Sequence, residues 1–242
     1  MAAEDVCPVW LFDDLARLRV VLAEDAPEVP DRAVDDAWRA LCARNPRYFD
    51  GPMLAFVSWD ADTGVITARR DRFRRLAVRE TVAIGVMQLG VTVVTRHRDR
   101  VLLGRRSRAT RVYGGMWELG PSGGVEVSEL EQSRSPGTRV PGFSGGVFVR
   151  AGEAELWEEM GVASGAVSWG LLGLVEDPVG GSFEVALEAR LGDGVEVSSA
   201  PANWEYDEVA WVGVGELGAF VERWGDGVIP PTVALIRRLR WS

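Results

Sequence analysis

The chain has 242 residues, a formal net charge of −9 and 47% hydrophobic residues, enough apolar material for one large or two small domains. All 27 basic residues are arginine and the sole histidine is His97, which excludes Schiff-base chemistry and a phosphate-loop lysine and leaves a Ser-His-Asp mechanism resting on one ring. Acid–base work must therefore fall to carboxylates.

No apolar run approaches the ~20 residues that span a bilayer, and the acidic balance argues against general nucleic-acid binding. The start, Met1-Ala2-Ala3-Glu4-Asp5, lacks the pattern of a secretory signal, so cytoplasmic residence away from the membrane is expected. Cys7 and Cys42 have neither disulfide-framework nor zinc-site spacing.

Along the chain, Pro30 to Ala43 sets Val34, Ala37, Trp38 and Leu41 at helical spacing. The next segment is Asn45-Pro46-Arg47-Tyr48-Phe49-Asp50-Gly51-Pro52. Its Asn-Pro and Gly-Pro steps stop the helix and turn the chain. Met53 to Trp59 and Gly64 to Ala68 read as a strand pair around Asp60 to Thr63, so residues 1–78 form a small α+β unit. An edge strand of such a unit could pair with a second copy to make a homodimer.

Val82 to Thr95 has β character and returns as Arg100 to Arg105, a hairpin with His97 as an exposed turn residue. From Arg69 to Arg111 thirteen arginines stand against three acids, Asp71, Glu80 and Asp99, which suggests an anionic ligand. Arg105, Arg106, Arg108 and Arg111 directly precede a glycine turn, where their forks could reach a diphosphate; the bland alternative is solvated strand edges.

Trp117 to Glu129 is a strand ending that runs into glycine-rich backbone, with Gly123 and Gly124 permitting close approach. Gln132 to Gly146 has the Ser, Pro and Gly content of an inserted surface loop. In Ala154-Glu155-Leu156-Trp157-Glu158-Glu159-Met160-Gly161-Val162, carboxylates at i, i+3 and i+4 share a helix face. Such repulsive oxygens suit a hard cation, Mg²⁺ or Mn²⁺, although a solvated acidic face has the same appearance. Gly161 is placed for a left-handed C-cap, with Val162 as the apolar contact after it. Strands at Leu171 to Glu176, Phe183 to Leu191 and Val209 to Val212 follow, then helices at Glu216 to Arg223 and Thr232 to Arg240. Of ten tryptophans, Trp38 and Trp211 sit at packing positions, whereas Trp117 and Trp204 are less easily assigned.

The glycine-rich turn and the acidic helix together resemble the Nudix hydrolases, whose box reads G-x5-E-x7-R-E-U-x-E-E-x-G-U with U a bulky aliphatic residue. Gly123 to Glu129 match its first half; Glu155, Leu156, Glu158, Glu159, Gly161 and Val162 match its second. The spacer, Leu130 to Glu153, is far longer than the family's, and Ala154 stands where the family has arginine. Arg150, one helical turn earlier, could substitute if the helix begins early enough. The resemblance covers about Arg79 to Ser242 and implies an α/β/α sandwich with a mixed sheet over residues 79–242, preceded by the 1–78 unit. It also implies Mg²⁺ on Glu155, Glu158 and Glu159, which would be the catalytic residues. One of them, or Glu205 or Glu208, would act as base. Substrate contacts would come from Arg105, Arg106, Arg108, Gly123 and Gly124. Asn45 to Pro52, and more loosely Arg70-Asp71-Arg72-Phe73, are similar to stretches of the branch that cleaves UDP-glucose and UDP-galactose. The implied substrate is thus a nucleoside diphosphate derivative, most simply a nucleotide sugar. A nucleotide-binding module without catalysis is the alternative, and an RNA-end hydrolase using the arginine belt a weaker one.

Overall fold

The computed structural model describes residues 7–23, 31–127, 142–162, 167–195 and 200–241. Its centre is strand β5 (Gln88–His97), in which Leu89, Val91, Val93 and Val94 are all buried. A strand covered on both faces needs such a near-continuous apolar run. On one side β5 pairs in parallel with β11 (Ser182–Leu191), from Gln88↔Ser182 to Arg96↔Arg190; β11 forms an antiparallel hairpin with β10 (Val167–Asp177). On the other, β5 meets β6 (Arg100–Arg106) at the hairpin end and β8 (Ser122–Gly124) through Gly90↔Gly124, Val91↔Gly123 and Thr92↔Ser122. β6 carries β7 (Trp117–Leu119) and β12 (Tyr206–Gly213). Short β1 (Val9–Leu11) flanks β10.

The amino-terminal segments continue the same sheet. β3 (Pro52–Asp60) and β4 (Val65–Arg72) form a hairpin, and β3 joins β5 through Ala55↔Gln88. β2 (Arg19–Leu22) lies parallel to β4 and carries β9 (Phe143–Ser144) on its outer edge. Phe56 of β3 stacks on Phe183 of β11, centroids 3.9 Å apart and planes 7° from parallel. Helix α1 (Arg32–Arg44), capped by the Asp31 side chain on the backbone N–H groups of Ala33 and Val34, presents Trp38 to Tyr48 and to Phe73 of the short helix α2 (Phe73–Ala77).

Helices cover both faces of the central strands. Val147, Phe148 and Ala151 of α3 (Gly146–Met160) pack with Leu89, Val91, Val185 and Leu187, a core that also takes in Leu54 and Ile66 from the amino-terminal hairpin. On the opposite face Val233 to Ile236 of α5 (Pro230–Arg238) and Leu217 of α4 (Leu217–Trp224) pack with Val94, Ala186, Leu103 and Trp117. The result is a mixed α/β fold with helix, sheet and helix layers, as expected.

Three local expectations need correction. Val82 to Met87 is not strand: Thr81 and Val82 bond back to the Val78 carbonyl at 2.9 Å, and Val86 is buried with Met53, Ala55 and Leu76. Val86 is used for packing, and backbone contact with β3 starts only at Met87, whose carbonyl accepts from the Phe56 N–H at 2.8 Å. The acidic helix begins at Gly146, inside the segment read as a loop, because Val147, Phe148 and Ala151 continue its buried face. Gly152 fits within it because a Cβ there would meet Trp169 and Val93 at 3.1 Å. Residues 132–141 of that loop lie outside the described residues. His97 is the last residue of β5, half-buried edge-on against Trp211, not an exposed turn residue.

Candidate functional site

Helix α3 carries all three box glutamates, in three different environments. Its end is set by Gly161, which adopts φ +69° and donates to the Trp157 carbonyl at 2.9 Å, while Val162 folds back to Leu156 at 3.3 Å. Glu155 is half-buried and its carboxylate occupies the space beside Gly123, where a Cβ would overlap it. The glycine turn thus sits against the helix because it has no side chain. Glu158 is exposed on the cleft side and Glu159 is buried, 3% exposed.

Glu159 is the electrostatic centre of the site. Burial, then repulsion from Glu155, Glu205 and Glu118, together with a hydrogen bond shared with Glu205, pushes its carboxyl up to about 10. Its Oε2 has no hydrogen-bond partner. Glu205 reaches this point because its loop is fixed at three places: Ala202 N–H on the Glu159 carbonyl (2.9 Å), Glu205 N–H on Asn203 Oδ1 (2.8 Å), and Ser107 N–H on the Glu205 carbonyl (2.7 Å). Glu118 is buried on β7, where it accepts from Arg106 Nη1 at 2.6 Å and Tyr206 Oη at 2.7 Å. Burial opposes the Arg106 charge, but Glu118, Tyr206 and Glu159 more than offset it and hold that guanidinium above its ordinary value.

A cleft of about 540 Å³ opens onto this cluster, within the usual size range of small-ligand sites. It is lined by the acids Glu155, Glu158, Glu205 and Glu126, by Gly124 and Gln88, and by Phe49, Gly51, Pro52, Met53 and Phe73 from the amino-terminal segments. The Gln88 amide stands where a Gly124 Cβ would be. Gly123 lines a smaller hollow of about 120 Å³ with Arg106, Arg111, Glu118, Asp177 and Glu184.

The structure brings Glu155, Glu158, Gly123 and Gly124 together around these openings, with Glu159 buried behind them. The arginines are placed differently. Arg105 pairs with Glu208 at 2.8 Å and lies over the Trp117 ring, Arg106 is bound to Glu118, and Arg108 is exposed on the loop after β6. Much of the basic belt is likewise ion-paired: Arg69 and Arg75 with Asp71 of the belt itself, and Arg72 with Asp50, Arg96 with Glu188 and Arg98 with Asp193 from elsewhere in the chain. The box residue Glu129 lies outside the described residues.

Sequence reasoning misses Glu118, Tyr206, Gln88 and Met53, whereas Phe49, Gly51, Pro52 and Phe73 of the cleft lining belong to the two amino-terminal segments it marks. A lone carboxylate between Trp117 and Leu119 in a short apolar strand was the available signal for Glu118, since a charge so placed needs a buried partner. Nothing local marks Gln88.

Among the described residues, no three or more His, Cys, Asp or Glu side chains converge as a ready-made metal cage. The donor chemistry nevertheless fits a hard cation: several carboxylates share one low-dielectric neighbourhood, and one buried oxygen there has no donor.

No family model matches the chain, and no curated protein matches it. Several solved structures are similar in part. DR0079 from Deinococcus radiodurans is 21% identical, with a TM-score of 0.43 over 62% of this chain and 82% of that one. A NUDIX hydrolase from Nitrosomonas europaea is 16% identical, TM-score 0.41, over 64% and 88%. A bifunctional NMN adenylyltransferase/ADP ribose pyrophosphatase from Francisella tularensis, complexed with AMP and a manganese ion, is 16% identical, TM-score 0.45, over 68% of this chain and 44% of that one. No described helix is long and apolar enough to cross a membrane.

Proposed function

We propose that this chain is a divalent-metal-dependent hydrolase of nucleoside diphosphate derivatives, of the Nudix type. The observation that carries the reading is the buried, under-bonded Glu159 carboxylate beside Glu155 and Glu205. Burying acidic groups together is costly unless a cation or a proton compensates. Glu155, Glu158 and Glu159 would hold Mg²⁺, or Mn²⁺ in its place. Bound there, the metal would neutralise diphosphate charge and lower the pKa of its water.

The protein's own groups would do the rest. Gly123 and Gly124, lacking side chains, leave room for the Glu155 carboxylate and the Gln88 amide beside the turn, and Gln88, which lines the cleft, would offer hydrogen bonds to the substrate. Glu205, on the cleft and hydrogen-bonded to Glu159, is placed to take a proton from the attacking water, whereas Glu208 is held by Arg105. Arg106 holds Glu118, which also accepts from Tyr206, and Arg108, exposed, with Arg105, already paired with Glu208, would add only long-range attraction for an anion. A nucleotide sugar such as UDP-glucose, giving UMP and sugar 1-phosphate, is the substrate favoured by the similarity of Asn45 to Pro52, a segment whose Phe49, Gly51 and Pro52 line the cleft. Cytoplasmic residence and self-pairing through the 1–78 unit belong to the same reading.

Phosphorus NMR of the protein with UDP-glucose, ADP-ribose and a dinucleoside polyphosphate, in Mg²⁺ or EDTA, tests this. We expect Mg²⁺-dependent release of a nucleoside monophosphate, lost in Glu158→Gln; turnover unaffected by EDTA or by that substitution would refute it. A second reading, nucleotide binding without turnover, is favoured by one observation: Ala154 lines the cleft with a methyl group where the family has an arginine.

A further inference from the structure

Among the described residues Phe49 is the most exposed large hydrophobic side chain, at 77%, yet it lines a concave cleft. Its neighbours are all fixed. Tyr48 packs on Trp38 and Phe73, with centroids 6.3 and 6.4 Å away. Asp50 accepts from Arg72 Nε and Nη2 at 3.2 and 3.0 Å and from the Arg74 backbone N–H at 3.0 Å, while Arg72 Nη2 also donates to the Asp50 carbonyl at 2.8 Å. Arg47 lies 5.4 Å over the half-exposed Trp204 ring, tying this turn to the loop that carries Glu205. Gly51 lies beside the Phe49 ring, which would come within 3.4 Å of a Cβ there. A braced turn that buries or pairs the side chains on either side of one aromatic ring, and leaves that ring exposed in a cleft that carboxylates also line, presents a flat apolar surface to a ligand.

We propose that Phe49 is the stacking platform for the nucleobase of the ligand whose phosphates lie toward Glu155, Glu158 and Glu205. This rests on the nucleotide reading above and adds the group that recognises the base. Every base has a π-face, so a single ring binds purines and pyrimidines alike, with purines ahead by contact area. Sugar phosphates lacking a base gain nothing from it.

Calorimetric titration of the full chain in Mg²⁺ with AMP, UMP and ribose 5-phosphate separates the base from the phosphate. Wild type should bind AMP roughly tenfold more tightly than ribose 5-phosphate, the scale of one base stacked on one ring. Phe49→Ala should bind all three alike, and Phe49→Tyr should keep the advantage. Melting curves of both variants should match wild type, because the exposed ring carries little packing. Equal or absent binding of AMP and ribose 5-phosphate by wild type, or an AMP advantage that survives in Phe49→Ala, overturns the proposal. If the advantage depends on Phe49 but no anhydride is turned over, the platform stands and the hydrolase reading falls.

Discussion

Glu159 and Gly123 show how one side chain, or its absence, sets the chemistry here. With Glu159 pushed up to about 10 in the fold, against an ordinary value of 4.5, the native protein binds an extra proton between those limits. Its contribution to stability is therefore lost progressively as pH rises from about 4.5, and fully lost above about 10. In EDTA, Glu159→Gln should have a melting temperature that declines less than wild type between pH 5 and pH 9; parallel curves in differential scanning calorimetry would contradict the burial argument. Gly123→Ala makes a different point. Its Cβ would collide with the flexible end of Glu155, not with backbone, so the side chain can swing away. We expect destabilisation of at most about 1 kcal/mol, the low end for an added core methyl, with metal-dependent turnover reduced at least tenfold because Glu155 is displaced. Unchanged turnover would show that the position of Glu155 does not matter.

At the scale of elements, helix α3 explains why a stretch that looks like a loop can begin a helix. Gly145 and Gly146 depress local propensity, but Val147, Phe148 and Ala151 return every third or fourth residue to the buried face, and packing outweighs propensity. The helix is terminated by stereochemistry. At φ +69° an L side chain is strained, and a Gly161 Cβ would meet nothing closer than 4.0 Å. Gly161→Ala should thus cost about 1–2 kcal/mol from backbone strain alone, read as a shift in the urea midpoint at unchanged slope. The box was legible in sequence because helix periodicity and the glycine cap are local rules. β5 was legible from Gln88 to Thr95 but its start was not: Val82 to Met87 is as apolar as the strand proper, and only pairing partners distinguish the two.

For the whole molecule, the amino-terminal hairpin and the central sheet share one core and one cleft. Leu54 and Ile66 pack in the same cluster as Phe148 and Val185, and Phe56 lies flat on Phe183. We expect one cooperative unfolding transition for the intact chain. Phe56→Ala should lower the unfolding free energy by about 3 kcal/mol, the low end for aromatic truncation because the ring is only partly buried. An early, separate transition of the amino-terminal strands in denaturant titrations followed by near-ultraviolet and far-ultraviolet circular dichroism would contradict this.

The sequence by itself determined the alternation of strands and helices, the common helix for Glu155, Glu158 and Glu159, the turn at Gly161, and the reliance on carboxylates in a chain without lysine and with one histidine. These follow from side-chain periodicity, steric limits on φ and composition, which act within a few residues. Only the tertiary structure decided which glutamate is buried, that much of the charge between Arg69 and Arg106 is ion-paired, and that Phe49 and Gln88 line one cleft with Glu155, Glu158 and Glu205, which are distant in sequence. The energy of a charge depends on its desolvation and on the groups that surround it in space, and folding draws those groups from the whole chain.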